Sequence, residues 1–275
     1  PLDPVKNAKT EYAEAFQQLP KGELKQTFND FNDVQVSSLG ENVTLHMTPN
    51  AKNDIFTLTL RYGVGAHEMP MLPYATALMS DAGIMGAPAT KGEDFKVQLA
   101  ELGADISYGC NDSYFTISIS GEDENINKIM NLVNRQLLMP YLEQKQLDNV
   151  KGSEFFSRLS RQKRTAVQKS ALMQYALYGK KSAYLDEVKF ADIWTLDGVK
   201  VQQLIASSRT YALDVFYCGT LSKEALVPEL PLTEGMKPSS SPFIQDRVTY
   251  DKPTVLFLPN SNVQQADLYL YINGR

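Results

Sequence analysis

Apolar and polar residues alternate along Ile55-Phe56-Thr57-Leu58-Thr59-Leu60-Arg61-Tyr62, which predicts a strand with one buried face. It runs into Gly63-Val64-Gly65 and then a helix from about Met71, with Gly83 as its C-cap. A period of two also marks Val34-Gln35-Val36 and Val43-Thr44-Leu45-His46-Met47, on either side of Gly40-Glu41-Asn42, and predicts a preceding hairpin. Thr90 with Glu93 forms a capping box for a helix to Leu102, closed by Gly103. Strands Ala104–Cys110 and Tyr114–Ser120 follow across Asn111-Asp112. Ile126, Ile129, Met130, Val133 and Leu137 then recur at helical spacing up to Pro140. Helices are expected over 143–164, 166–177 and 198–208, the last two flanking Trp194, and then a strand Ala212–Cys218 ending at Gly219-Thr220.

The two ends of the chain follow different patterns. Residues 5–17 predict a lead-in helix with Tyr12, Phe16 and Leu19 as a sparse apolar stripe. Pro228 to Pro242, with Ser239, Ser240 and Ser241, has linker composition. Beyond it, Thr254-Val255-Leu256-Phe257-Leu258-Pro259-Asn260 followed by Leu268–Gly274 repeats the layout of Thr44–Asn50 followed by Leu58–Gly63: strand, Pro-Asn turn, strand, glycine. The expected organisation is a lead-in helix and linker over 1–29, one module over 30–226, a linker over 227–244, and over 245–275 the first hairpin of a second copy. An isolated hairpin is marginal in water, so strands Val255–Leu258 and Leu268–Ile272 are expected to find a host sheet or to promote self-association.

Composition narrows the possible chemistry. With 275 residues, 43% of them hydrophobic, the chain can bury a substantial core, and its net charge of −5 gives no nucleic-acid footprint. No apolar run approaches bilayer length, and the opening at Pro1 without a signal-like core reads as a fragment of something longer. The compartment is left open between bacterial cytoplasm and periplasm, for a soluble protein. Between Lys151 and Lys181, eight Lys and Arg residues face Glu154 alone, which reads as a solvated face, with an acidic-partner surface as the alternative. Cys110 and Cys218 read as buried free thiols. His46 and His67 are the only histidines, too few for a His-rich metal site. His67-Glu68 imitates the start of a zinc-protease motif, but Met71 stands at the i+4 position and Pro70 interrupts the turn.

The order of elements, with Leu39-Gly40-Glu41-Asn42-Val43-Thr44 before one strand, Leu99-Ala100-Glu101-Leu102-Gly103-Ala104 before another and Tyr211–Gly219 at the end, resembles the insulinase-like zinc metallopeptidases. That family includes pitrilysin and the mitochondrial processing peptidase, and the resemblance spans about residues 30–225. It implies an α+β domain, a mostly antiparallel mixed sheet with helices packed on one face. It also implies tandem homologous domains closing over peptide, only one of which carries His-x-x-Glu-His. With Asp81-Ala82-Gly83 as register mark, the motif's first His falls on Tyr74, its Glu on Ala77, its second His on Leu78, and the third ligand at or beside Phe155, next to Glu154.

A hydrolytic zinc needs three protein N or O ligands and a carboxylate base. Tyr74, Ala77 and Leu78 share a helix face but supply neither. No catalytic, cofactor or metal residue is therefore expected in this segment. The resemblance implies a non-catalytic domain that forms part of the peptide-enclosing chamber and partners a catalytic half, where zinc would be held. The alternative is a catalytically dead scaffold, like the core subunits of the respiratory cytochrome complex. A third class, an enzyme with a site of its own, has only Gly63-Val64-Gly65, which lacks the third glycine of a dinucleotide fingerprint.

Overall fold

In the computed structural model the first hairpin is formed by β1 (Gln35–Gly40) and β2 (Val43–Pro49), paired antiparallel across a turn in which Asn42 takes the left-handed conformation at φ 60°. The structure describes residues 10–20, 31–82, 95–138, 142, 144–240, 245–260, 264 and 266–272. The chain divides into two units, Pro1–Asp33 and Val34–Arg275. In the first, α1 (Glu11–Gln17) starts at Thr10, whose side chain accepts from Ala13 N at 3.2 Å. Tyr12 and Phe16 on this helix remain exposed.

The second unit contains the α+β fold. After β3 (Ile55–Tyr62) come α2 (Leu72–Ala82), α3 (Phe95–Glu101), β4 (Asp105–Cys110), β5 (Phe115–Glu122), α4 (Ile126–Leu138), α5 (Gln144–Gln162), α6 (Thr165–Tyr178), α7 (Phe190–Trp194), α8 (Gly198–Ser208), β6 (Leu213–Gly219) and α9 (Lys223–Leu226). The strands form one six-stranded sheet in the order β1-β2-β6-β3-β5-β4. Only the β2–β6 pair is parallel. Period-two patterning determines which side is wet: Phe56, Leu58, Leu60 and Tyr62 on β3 are buried with Phe115, Ile117 and Ile119 on β5 and Leu213, Val215 and Tyr217 on β6. Ile129, Met130, Val133 and Leu137 of α4 and Val201 and Ile205 of α8 join the same core. Gly103, at φ 66°, ends α3 as expected from its sequence position.

Asp123 fastens the end of β6 to the start of α4. Its buried carboxylate accepts from the Tyr217 hydroxyl at 2.7 Å and from the backbone N and hydroxyl of Thr220 at 3.0 and 2.9 Å.

Two expectations are altered. The second-copy hairpin is not formed: among the described residues of 245–272 no strand is assigned, and the segment runs beside α6 instead. There Val248 N donates to Leu177 O at 2.8 Å, the Tyr250 hydroxyl to Ala176 O at 2.9 Å, and Asn260 Nδ2 to Gln168 Oε1 at 2.8 Å. The apolar side chains that a partner sheet would cover, Val255, Phe257, Leu268 and Leu270, stay exposed. Without a sheet edge to complete, alternation alone does not hold strands. The basic stretch is also not uniformly solvated, since Lys151 is buried and the Arg158 side chain is only 12% exposed. Gly83 and the Thr90–Glu93 box lie outside the described residues.

Both cysteines are free and half-buried. Burial, with Asp112 adding to it and Ala66 N opposing, pushes the Cys110 thiol up to about 12. In a Cys218→Ser background, Cys110 should therefore be alkylated at pH 8 at least about tenfold more slowly in the native than in the urea-unfolded protein. Mass spectrometry of timed samples checks this, and equal rates would show the thiol open to solvent.

Candidate functional site

The corner after β3 brings backbone against backbone. Gly63 N donates to Ala212 O at 2.8 Å and Ser240 N to Gly63 O at 2.7 Å, while Ala66 N and His67 N donate to the Asn111 and Asp112 carbonyls at 2.8 and 3.1 Å. The glycines at this corner admit neighbouring backbone rather than cradling phosphate. They aim α2, whose first turn accommodates Pro73 because its leading N–H groups need no helical partner.

On α2, Leu72, Ala75, Leu78 and Met79 are buried, Tyr74 is half-buried and Ala77 is exposed. Across from them, α5 presents Lys151, Glu154 and Arg158 at i, i+3 and i+7, one helical face. Tyr74, Ala77, Leu78 and Glu154 line one cavity of about 200 Å3, with Lys151, Ser157 and Ile193 among its other walls. Phe155 is not among them: it is rotated toward α7, its ring 4.9 Å from that of Phe190. The carboxylate that meets the α2 face is therefore Glu154.

Arg158 joins two residues of the cavity wall, Tyr74 and Glu154. Its Nε donates to Glu154 Oε1 at 2.8 Å, Nη1 to Val188 O at 2.8 Å, and Nη2 to the Tyr74 hydroxyl at 2.7 Å. Nη2 also lies 3.5 Å from Glu187 Oε1, which Arg161 Nη2 approaches to 2.6 Å. Burial opposes the Arg158 charge, but the bond to Glu154 and the fields of Tyr74, Glu187 and Glu154 outweigh it and hold its pKa above the ordinary value. Burial raises the Tyr74 phenol, opposed by Arg158 and reinforced by Glu187 and Glu154, so it stays protonated. Lys151 Nζ reaches Trp194 O at 3.3 Å and sits 5.6 Å from the centre of the Trp194 ring.

These donors do not suit zinc. Tyr74 is a neutral phenol, Ala77 and Leu78 have no donor atom, and Glu154, the one carboxylate among the described residues of the cavity wall, is already paired. Among the described residues no group of three or more His, Cys, Asp or Glu could hold a metal ion. The histidines are elsewhere: His46 stacks on Phe216 at 4.7 Å on the sheet's outer face, and His67 lines a neighbouring cleft.

That cleft, of about 1250 Å3, lies between the 66–74 corner, α6 and the 181–189 segment. Its lining mixes both signs, with Asp112, Asp186, Glu187 and Asp192 against Arg161, Lys181 and Lys189. Composition had pointed to the basic stretch only as a surface. The spacing of Lys151, Glu154 and Arg158 on one helix face was the available signal for this network.

No protein-family model matches the chain, and no curated protein matches it in sequence. Its fold is nevertheless shared with solved structures. The ferredoxin protease FusC, crystallised in complex with Arabidopsis ferredoxin, superposes with a TM-score of 0.62 at 11% identity, covering 86% of this chain and 29% of that one. A peptidase M16 inactive domain from Pseudomonas fluorescens gives 0.61 at 16% identity over 78% of this chain and 54% of that one. The periplasmic protease PqqL from Escherichia coli gives 0.61 at 14% identity over 82% of this chain and 26% of that one. The chain thus spans between about a quarter and a half of the proteins it resembles. No helix among the described residues is long and apolar enough to cross a membrane.

Proposed function

We propose that this chain is a non-catalytic domain of an M16-type, insulinase-like zinc metalloendopeptidase. It would form part of the peptide-enclosing chamber and support a catalytic half that carries the zinc. The observation that carries the reading is the cavity where Tyr74, Ala77 and Leu78 of α2 meet Glu154 of α5. Two helices oppose each other there as in a hydrolytic site, with neither an imidazole nor an unpaired carboxylate among the described residues of the wall. The likeness to a peptidase M16 inactive domain supports the same reading. The mixed-sign cleft beside the cavity is large enough to admit an extended peptide, and it is the surface we assign to substrate. In this reading 30–226 is the inactive domain, 227–244 the connector and 245–275 the start of a homologous domain.

The experiment is reconstitution. Alone, the purified chain is expected to hold no stoichiometric zinc after dialysis and to cleave no peptide. The parent reading frame, or a gene adjacent to it, should encode a His-x-x-Glu-His half. Adding this chain to that half should raise its peptide hydrolysis at least about tenfold, since a half-chamber holds substrate poorly. One tightly held zinc per isolated chain would overturn the reading. Stable association of the two halves without any stimulation would favour the scaffold alternative.

A further inference from the structure

A cation, the guanidinium of Arg158, lies beside the cavity between α2 and α5 and is bonded to two of its wall residues, Tyr74 and Glu154. Its three kinds of N–H are directed at three different segments: Glu154 on α5, Tyr74 on α2 and Val188 in the segment before α7. A planar guanidinium suits this because its donors form a fixed fork, where an ammonium would be a single point. Glu187 closes the network by joining Arg158 to Arg161. On the other side of Glu154, one turn back on the same helix face, Lys151 is 3% exposed and directed at Trp194. Glu154 therefore has a cation in each neighbouring turn on its face of α5.

We infer that the Arg158 guanidinium is the resident cation of this site. It crosslinks α2, α5 and the 187–188 segment as a coordinated metal would, and it closes the cavity to divalent ions. The inference rests on the reading of Tyr74, Leu78 and Glu154 as the counterparts of a metal site. The physical ground is twofold. Glu154, the one carboxylate among the described residues of the cavity wall, is committed to Arg158, so a dication binding it would have to displace that bond. It would also lie near the positive charges of Arg158 and Lys151, which oppose it even though Lys151 Nζ has Asp148 Oδ1 at 3.5 Å on its other side. The loss of metal affinity in this domain therefore lies in α5 as much as in the missing histidines of α2.

Three variants of the whole chain test this. The first, Tyr74→His with Leu78→His, creates two imidazoles at i and i+4 on the wall shared with Glu154; the second adds Arg158→Ala to that pair; the third is Arg158→Met alone. Zinc titration by calorimetry should show the triple variant binding one zinc per chain at least about a hundredfold more tightly than the double. Equal affinity in the two would overturn the inference and leave the domain assignment standing. Zinc binding by neither, with circular dichroism showing both folded, would mean that α2 and α5 do not oppose each other as a metal site, and the functional reading would fail together with the inference. Arg158→Met needs no histidine and reports on the crosslink directly. Its thermal midpoint should fall by at least about 5 °C and should not recover with added zinc. An unchanged midpoint would overturn the crosslink even if the histidine variants did not fold.

Discussion

Gly65→Ala is expected to destabilise the domain by about 3 kcal/mol, seen as a fall of roughly 6–12 °C in the thermal midpoint. The added Cβ would lie 2.3 Å from the Asn111 carbonyl oxygen and 2.5 Å from the Asp112 carbonyl carbon. Neither can swing aside as a side-chain tip would, because the Ala66 and His67 N–H groups fasten both carbonyls. Relief therefore requires separating the β4–β5 turn from the start of α2. Gly109→Ala is the control, since nothing lies within 4 Å of a Cβ built there. That change should stay within about 0.5 kcal/mol of the parent. If the two glycines respond alike, the corner is not closed backbone to backbone.

Leu78→His alone should cost about 2–4 kcal/mol, or roughly 5–15 °C. Leu78 is 2% exposed, so an imidazole there displaces aliphatic contacts and places a polar ring on a wall it shares with Lys151 and with Glu154, whose carboxylate is bonded to Arg158. Ala77→His, one position earlier on α2 and facing solvent, should change stability by no more than about 0.5 kcal/mol. Thermal unfolding followed at 222 nm separates the two. Equal tolerance would place Leu78 on the surface and undo its correspondence with a ligand position.

The sequence revealed what is written in local periods. Phe56, Leu58, Leu60 and Tyr62 specify the inward face of β3, and Ile129, Met130, Val133 and Leu137 that of α4, because burial follows the pleat and the helical turn directly. Helical spacing likewise puts Tyr74 and Leu78 on one face of α2, where both line the cavity. The α5 side was less legible: spacing along one helix does not fix which face meets a helix far away in sequence, so Phe155 and Glu154 differ by the one residue that rotates a side chain about 100°. The buried state of Lys151 and Arg158 was hidden for a related reason. Long cationic side chains bury their stems whenever an acceptor stands at the far end, and here the acceptors are Trp194 O and Val188 O, which no local pattern announces. In the tail, Val255 with Phe257 and Leu268 with Leu270 alternate as two strands would, but alternation does not specify pairing, and neither segment is a strand.

The position of β6 in the sheet also governs the order in which the domain can assemble. It lies between β2 and β3, so the β1–β2 hairpin and the β3–β5–β4 group share no hydrogen bonds until residues 213–219 arrive. During synthesis the ribosome must deliver the last strand before either group has a neighbour on its inner edge. Until then both edges are open to pairing with other chains. Joining residue 43 to residue 213 closes a very long loop, which makes the final step slow compared with forming any of the helices. This domain should therefore depend on chaperones in the interval before β6 emerges, and a chain ending short of Leu213 would lack the one strand that makes its two half-sheets a single core.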